Sequence, residues 1–140
     1  MKQKPTLDAA AACRLGVARA RALGGVKRLG EAADVAAQTV ALCAGEALEP
    51  TVSFLAGTAH ARAKRHVEAE RWFAEVEARF SSSSLADDAA LEAARSALAR
   101  GDLQAAERRL ANVAERYPRG DTVGDALFLL GTASLERGDA

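Results

Sequence analysis

Isoleucine is absent from this sequence and its other β-branched residues are scattered, so no stretch reads as a β-strand. No excess of either charge sign exists: nineteen basic residues balance nineteen acidic ones, interleaved along the chain. That leaves no electrostatic footprint for a phosphate backbone or an anionic membrane, and nucleic acid is not an expected partner. Long apolar runs are also missing. Nothing approaches the roughly 18 residues of a membrane span, and Asp8, Arg14, Arg19 and Arg21 interrupt the apolar stretch that a signal peptide needs.

Cysteine is scarce too. Cys13 and Cys43 are too few for a disulfide framework and lack metal-ligand spacing. A reversal of the chain at Gly24-Gly25 sets Cys13 opposite Ala36, well short of Cys43, so two buried, unpaired thiols are expected. The whole chain, 140 residues, is one domain's worth, short for an enzyme that also needs a cleft.

What the sequence has in abundance is alanine, 35 residues of it, which favours helix almost everywhere. It also repeats. Shifted by 37 residues, Ala69, Glu70, Arg71, Ala74, Val76 and Arg79 fall on Ala106, Glu107, Arg108, Ala111, Val113 and Arg116. Phe73 falls on Leu110, Phe80 on Tyr117, Leu98 on Leu135, and Arg100-Gly101-Asp102 on Arg137-Gly138-Asp139. A fainter earlier copy aligns Lys27-Arg28 and Glu31-Ala32 with Lys64-Arg65 and Glu68-Ala69. The chain thus divides into approximate repeats 14–50, 51–87 and 88–124 and a half repeat 125–140, within a single domain 1–140.

Each copy carries two apolar stripes at three- and four-residue spacing, such as Phe73, Val76 and Phe80, or Leu103, Ala106, Leu110 and Val113. Helices are expected at about 6–23, 27–43, 49–63, 66–80, 85–99, 103–116 and 122–137. Asp102 after Gly101 and Ser84 before Leu85 suit helix starts, as does Pro50, whose missing donor costs nothing there.

Helices that cross closely need small residues where backbones meet and bulky ones to fill the holes. Gly57, Ala94 and Gly131 recur at the period in the first helix of each hairpin, Ala69 and Ala106 face them from the second, and Phe73 and Leu110 fill the space beside them. This arrangement resembles the tetratricopeptide repeat, with Leu130-Gly131, Ala106, Leu110 and Pro118 in the places of that pattern. The period is 37 rather than about 34, and His60, Ala97 and Ser134 stand where the pattern has a large aromatic. The resemblance implies an all-α helical-hairpin solenoid, about seven antiparallel helices in a right-handed superhelix.

A second resemblance covers roughly Leu55 to Ala140, through Phe80-Ser-Ser-Ser-Ser-Leu-Ala-Asp-Asp-Ala89, Glu115-Arg-Tyr-Pro-Arg-Gly-Asp121 and Asp125-Ala-Leu-Phe-Leu-Leu-Gly131. These segments look like the superhelical, non-catalytic region of bacterial soluble lytic transglycosylases, periplasmic enzymes that cleave peptidoglycan. The family's catalytic Glu-Ser pair and Gly-Leu-Met-Gln segment do not occur in this sequence, so no catalytic residue carries over. The expected function is a non-catalytic scaffold or protein-interaction module. The alternative is a piece of such a transglycosylase without its catalytic domain. The resemblance implies the periplasm or cell envelope; a chain complete as written implies the cytoplasm.

The remaining chemistry-bearing residues have plainer readings. His60 and His66 are six apart across a helix boundary and share no face for a metal. Asp87-Asp88 and Glu68 with Glu70 suit solvated helix starts, and Ser81 to Ser84 a loop between repeats. No metal or cofactor is expected. The expected partner is a protein or a linked domain. Trp72, about 100° round the helix from Phe73, either packs on the preceding hairpin or forms a contact surface. Leu127, Leu130 and Leu135 form an apolar stripe on a last helix without its partner, marking either a truncated array or self-association.

Overall fold

Alanine-rich helices, the first of 17 residues and the six that follow of 14 each, joined by two alternating kinds of turn, build the molecule in the computed structural model, which describes residues 8–136 and 138. The described residues form seven α-helices and no strand: α1 Ala9–Gly25, α2 Leu29–Leu42, α3 Glu49–Arg62, α4 His66–Arg79, α5 Ala86–Ala99, α6 Leu103–Arg116 and α7 Val123–Glu136. The protein is all-α. The expected first-helix start near Thr6 and the last-helix end at Arg137 lie outside the described residues. From α2 onward, like helices start 37 residues apart: α2, α4 and α6 at 29, 66 and 103, and α3, α5 and α7 at 49, 86 and 123.

The turns repeat with the same period. Lys27, Lys64, Gly101 and Gly138 all sit in the left-handed region, with φ of 62°, 64°, 85° and 81°. At the first three, the next residue's N–H reaches back five positions: Arg28 to Leu23 at 2.9 Å, Arg65 to His60 at 2.8 Å and Asp102 to Ala97 at 3.0 Å. With the accompanying bonds from Lys27 to Gly24, Lys64 to Ala61 and Gly101 to Leu98, these are Schellman caps, which satisfy the last carbonyls of one helix while reversing the chain into the next. The connections from α2, α4 and α6 onward also share one form. Glu46, Ser83 and Gly120 donate to Cys43, Phe80 and Tyr117. Glu49, Ala86 and Val123 donate in turn to Glu46, Ser83 and Gly120.

Helix starts follow local chemistry. Asp8 accepts from Ala11 N–H at 2.7 Å and Asp102 from Ala105 N–H at 2.9 Å, and Pro50 sits in the first turn of α3. At α5 the expected Ser84 is not the partner; Ser83 Oγ accepts from Leu85 N–H.

Each helix packs on the one before and the one after it in sequence. The core is therefore a string of clusters. Ala20, Ala33, Ala36, Ala56 and Ala59 form one, and Ala69, Phe73, Val76, Ala89 and Ala93 the next. Ala90, Leu91, Ala94, Leu110, Val113 and Ala126 carry the packing on to α7. Small residues dominate because they let helix backbones approach, and a few large side chains fill what remains. A Cβ on Gly57 would lie 2.7 Å from the Phe73 ring.

The cysteines correct the sequence reading. Cys13 and Cys43 form a disulfide, with Cα atoms 4.9 Å apart, so neither thiol is free. The error lay in the turn. Gly24 and Gly25 stay inside α1, and the reversal comes at Lys27. Moving the pivot by between three and four residues moves the residue opposite Cys13 by seven, from Ala36 to Cys43, and Gly16 meets Thr39 in a register within one residue of it. The bridge is enclosed by Val17 and Val52, with Val40, Leu48 and Leu55 around them, and both cysteines are almost fully buried.

Two outcomes are expected. Lys64→Gly relieves a left-handed lysine and raises stability by about 1 kcal/mol, roughly 3 °C in Tm, measured by thermal unfolding. Cys43→Ala removes a crosslink spanning 30 residues; chain entropy puts that at about 3 to 4 kcal/mol, a fall of roughly 10 °C that reducing agent reproduces in the parent protein.

Candidate interaction surface

Charged side chains on α4 and α6 link successive repeats. Glu70, buried to 8% side-chain exposure, is held by Arg100 Nε at 2.6 Å and Arg109 Nε at 2.9 Å. Arg100 also reaches Asp102 at 3.1 Å. Glu77 accepts from Arg116 at 3.0 Å and from the Tyr117 hydroxyl at 3.4 Å. Across the preceding boundary, Arg79 donates to Glu49 at 2.6 Å, and Glu49 also accepts from Gly45 N–H at 2.8 Å.

The carboxyl groups divide by surroundings. Burial pushes Glu70 up, but hydrogen bonds from Arg100 and Arg109 outweigh it and hold its pKa below the ordinary value of 4.5. The Gly45 N–H, assisted by Arg79 against burial, likewise lowers Glu49. Burial raises Asp88, and Asp87 and Asp121 raise it further. Glu92 is raised by burial, with Arg95 opposing and Asp88 adding to the shift.

Three surface depressions are notable. One of about 360 Å³ is lined by Glu70, Arg100, Asp102, Arg108, Arg109 and Asn112. Another, on α4, of about 300 Å³, is lined by Glu68, Arg71, Trp72 and Glu75. A larger one of about 500 Å³ lies against the α1–α2 turn, between Arg19, Leu23, Arg28 and Val35. The first two offer hydrogen-bonding charges of both signs, and the second adds the half-buried Trp72 indole.

Residues singled out in the sequence separate into core and surface. Ala69, Phe73, Ala94, Ala106 and Leu110 are buried, as is Gly57, whereas Pro118 is exposed and Leu130 half-buried. Gly131 and Leu127 are exposed on α7. Trp72 packs on the α2–α3 alanine cluster, with its ring centroid 6.3 Å from that of His60. His60 Nδ1 donates to the Ala56 carbonyl at 2.7 Å, which ties this ring to its own helix. Asp87 and Asp88 acquire a third neighbour, Asp121, from the following turn, all with carboxylate oxygens within 4.8 Å. Oxygen donors of this kind suit a hard cation such as Ca²⁺, and they also suit the positive end of α5 beside them. The Glu70 network was not found from sequence, although Glu70 and Arg109 stand 39 residues apart, close to one period.

Compared with protein-family models and with curated proteins, the chain finds no match. Among the described residues, no helix is long and apolar enough to cross a membrane.

Glu70→Gln is expected to cost about 1 to 3 kcal/mol near neutral pH, since two arginines lose their charged acceptor. The sign of the pH effect follows from the lowered pKa. Glu70 stabilises the fold above its unfolded value and loses that contribution as pH falls through its folded value. The variant therefore shows a shallower loss of stability on acidification. Asp88 and Glu92, raised, act in the opposite sense: their contribution is full below the unfolded value and lost as pH rises through the folded one. Urea midpoints of parent and variant between about pH 3 and 7 test this.

Proposed function

We propose that this protein is a non-catalytic, tetratricopeptide-like scaffold, a right-handed solenoid that positions a protein partner or a linked domain. The observation that carries the reading is the 37-residue recurrence of helix starts and left-handed turns at 27, 64, 101 and 138. Stacked repeats satisfy their packing with a few small and large positions and leave the remaining surface free to bind. Arg100, Arg108 and Arg109 in one depression and Arg71 with Trp72 in another are of the residue types enriched at protein contacts.

A second reading is favoured by the disulfide. Bridges of this kind form and persist in oxidising compartments, which supports the periplasm or envelope over the cytosol. It agrees with the resemblance to the superhelical region of soluble lytic transglycosylases, in which such helices would place a wall-cleaving domain.

The test is fractionation of source cells with an antibody against this segment, combined with thiol trapping. The expected product is in the envelope fraction, well above 14.6 kDa, with cysteines that react only after reduction. A product near 14.6 kDa in the cytosol with reactive thiols overturns the envelope reading. Release of soluble fragments from purified peptidoglycan by the 140-residue chain itself overturns the scaffold reading.

A further inference from the structure

The depression lined by Arg108 and Arg109 is a repeat position with its charge inverted. Shifted by one period, Glu68, Arg71, Trp72 and Glu75 of α4 fall on Ala105, Arg108, Arg109 and Asn112 of α6. The α4 residues line the depression of about 300 Å³ and the α6 residues line that of about 360 Å³, so both lie at one register of the array. From α4 to α6 both carboxylates give way to uncharged side chains, and the indole gives way to a guanidinium. The α4 version carries two carboxylates against one guanidinium. The α6 version, with Glu70, Arg100 and Asp102 added to its wall, carries three guanidiniums against two carboxylates.

Hydrogen bonding sharpens the difference. Every oxygen of Glu70 and Asp102 already accepts from within the wall. Arg100 Nε donates to Glu70 Oε1, and Arg100 Nη2 and Arg109 Nε donate to Oε2. The Ala105 N–H donates to Asp102 Oδ1 and Arg100 Nη1 to Oδ2. Donors, by contrast, are in excess. Arg109 is anchored through Nε on buried Glu70, and its two terminal nitrogens have no acceptor among the described residues. Arg108 and Asn112 make no hydrogen bond or ion pair among those residues.

Free guanidinium N–H groups, a neighbouring amide and one surplus positive charge suit a single carboxylate, which accepts two parallel N–H bonds from such a fork. Magnitude decides what carries that carboxylate. Arg108 is exposed, and one exposed ion pair shifts an equilibrium by less than about tenfold, so the ligand needs further contacts. A narrower recess supplies them: it is lined by Ala74 and Glu77 of α4 and Ala90 and Ala93 of α5, and shares Arg109 and Asn112 with the depression. A polypeptide passing from one to the other sets an acidic side chain on the arginines and a small neighbour on the alanines.

We propose, on the scaffold reading, that this seat takes an aspartate or glutamate side chain from a segment of a protein partner, held by Arg108, Arg109 and Asn112, with Glu70 fixing Arg109 in place. The test titrates the isotope-labelled 140-residue protein with a blocked Ala-Glu-Ala-Glu-Ala-Glu-Ala peptide, with the same peptide carrying Gln for Glu, and with glutarate. NMR shifts centred on Arg108, Arg109 and Asn112 are expected with the glutamate peptide and absent with the glutamine one. Arg108→Gln weakens binding by at least about threefold at unchanged Tm. Asn112→Glu, which restores the α4 residue, weakens it likewise, and Arg71→Gln leaves it unchanged. Shifts that are absent at about 1 mM peptide, or indifferent to Arg108→Gln, overturn the proposal. So does equal binding of the glutamine peptide, which makes the seat a neutral groove, and glutarate binding as tight as the peptide's, which makes it a site for a small free acid. An equal loss in Arg71→Gln moves the contact to α4 and also refutes it. Each of these failures leaves the scaffold reading standing, since that reading falls only to peptidoglycan cleavage by the chain.

Discussion

The left-handed residue that ends each first helix of a hairpin fixes the register on which every tertiary contact depends. A Schellman cap leaves little freedom in how the chain leaves one helix and enters the next. With the pivot at Lys27, Gly16 meets Thr39 and Cys13 meets Cys43. With the same pivot one period on, Gly57 meets Phe73. A slip of one residue would turn each small notch away from its large partner, because neighbouring helical positions are about 100° apart. The first two pivots are lysines, which endure a conformation that glycine adopts freely; their caps and packing outweigh a cost of roughly 1 to 2 kcal/mol each.

The core that follows from this register consists largely of alanine. Alanine gives little transfer energy per residue, about 0.8 kcal/mol for one carbon buried, so stability must come from many close helix contacts in sequence rather than one large centre. Charges supplement it where repeats meet. Glu70 is the clearest case: a buried carboxylate tolerated because two guanidiniums from later elements satisfy both its oxygens. Glu49 solves the same problem one boundary earlier with a backbone donor and one arginine.

The helices and the period were legible because both rest on local signals: alanine content, apolar spacing, and turns rich in Gly, Asp and Pro. The disulfide was not, for an instructive reason. Gly24-Gly25 reads as a break, yet glycine is tolerated in a final helical turn, and Gly24 lies buried beside Arg62. The residue that breaks the helix is a lysine, which carries no turn signal by itself. Alignment to Gly101 at twice the period would have shown it, since 27, 64 and 101 are one position of the repeat. The Glu70 network was hidden similarly, because pairing across two helices needs a register that spacing alone does not supply.

The two ends of the described array face the same physical problem and meet it differently. A terminal unit has one neighbour instead of two, so it loses roughly half of the interface energy that an internal unit enjoys. At the first hairpin a covalent bridge compensates, set among valines that α1 and α3 contribute. It ties the open ends of α1 and α2 opposite the Lys27 turn, where fraying would otherwise begin. At α7 no bridge exists, and the residues its repeat counterparts bury stand exposed around an open glycine notch.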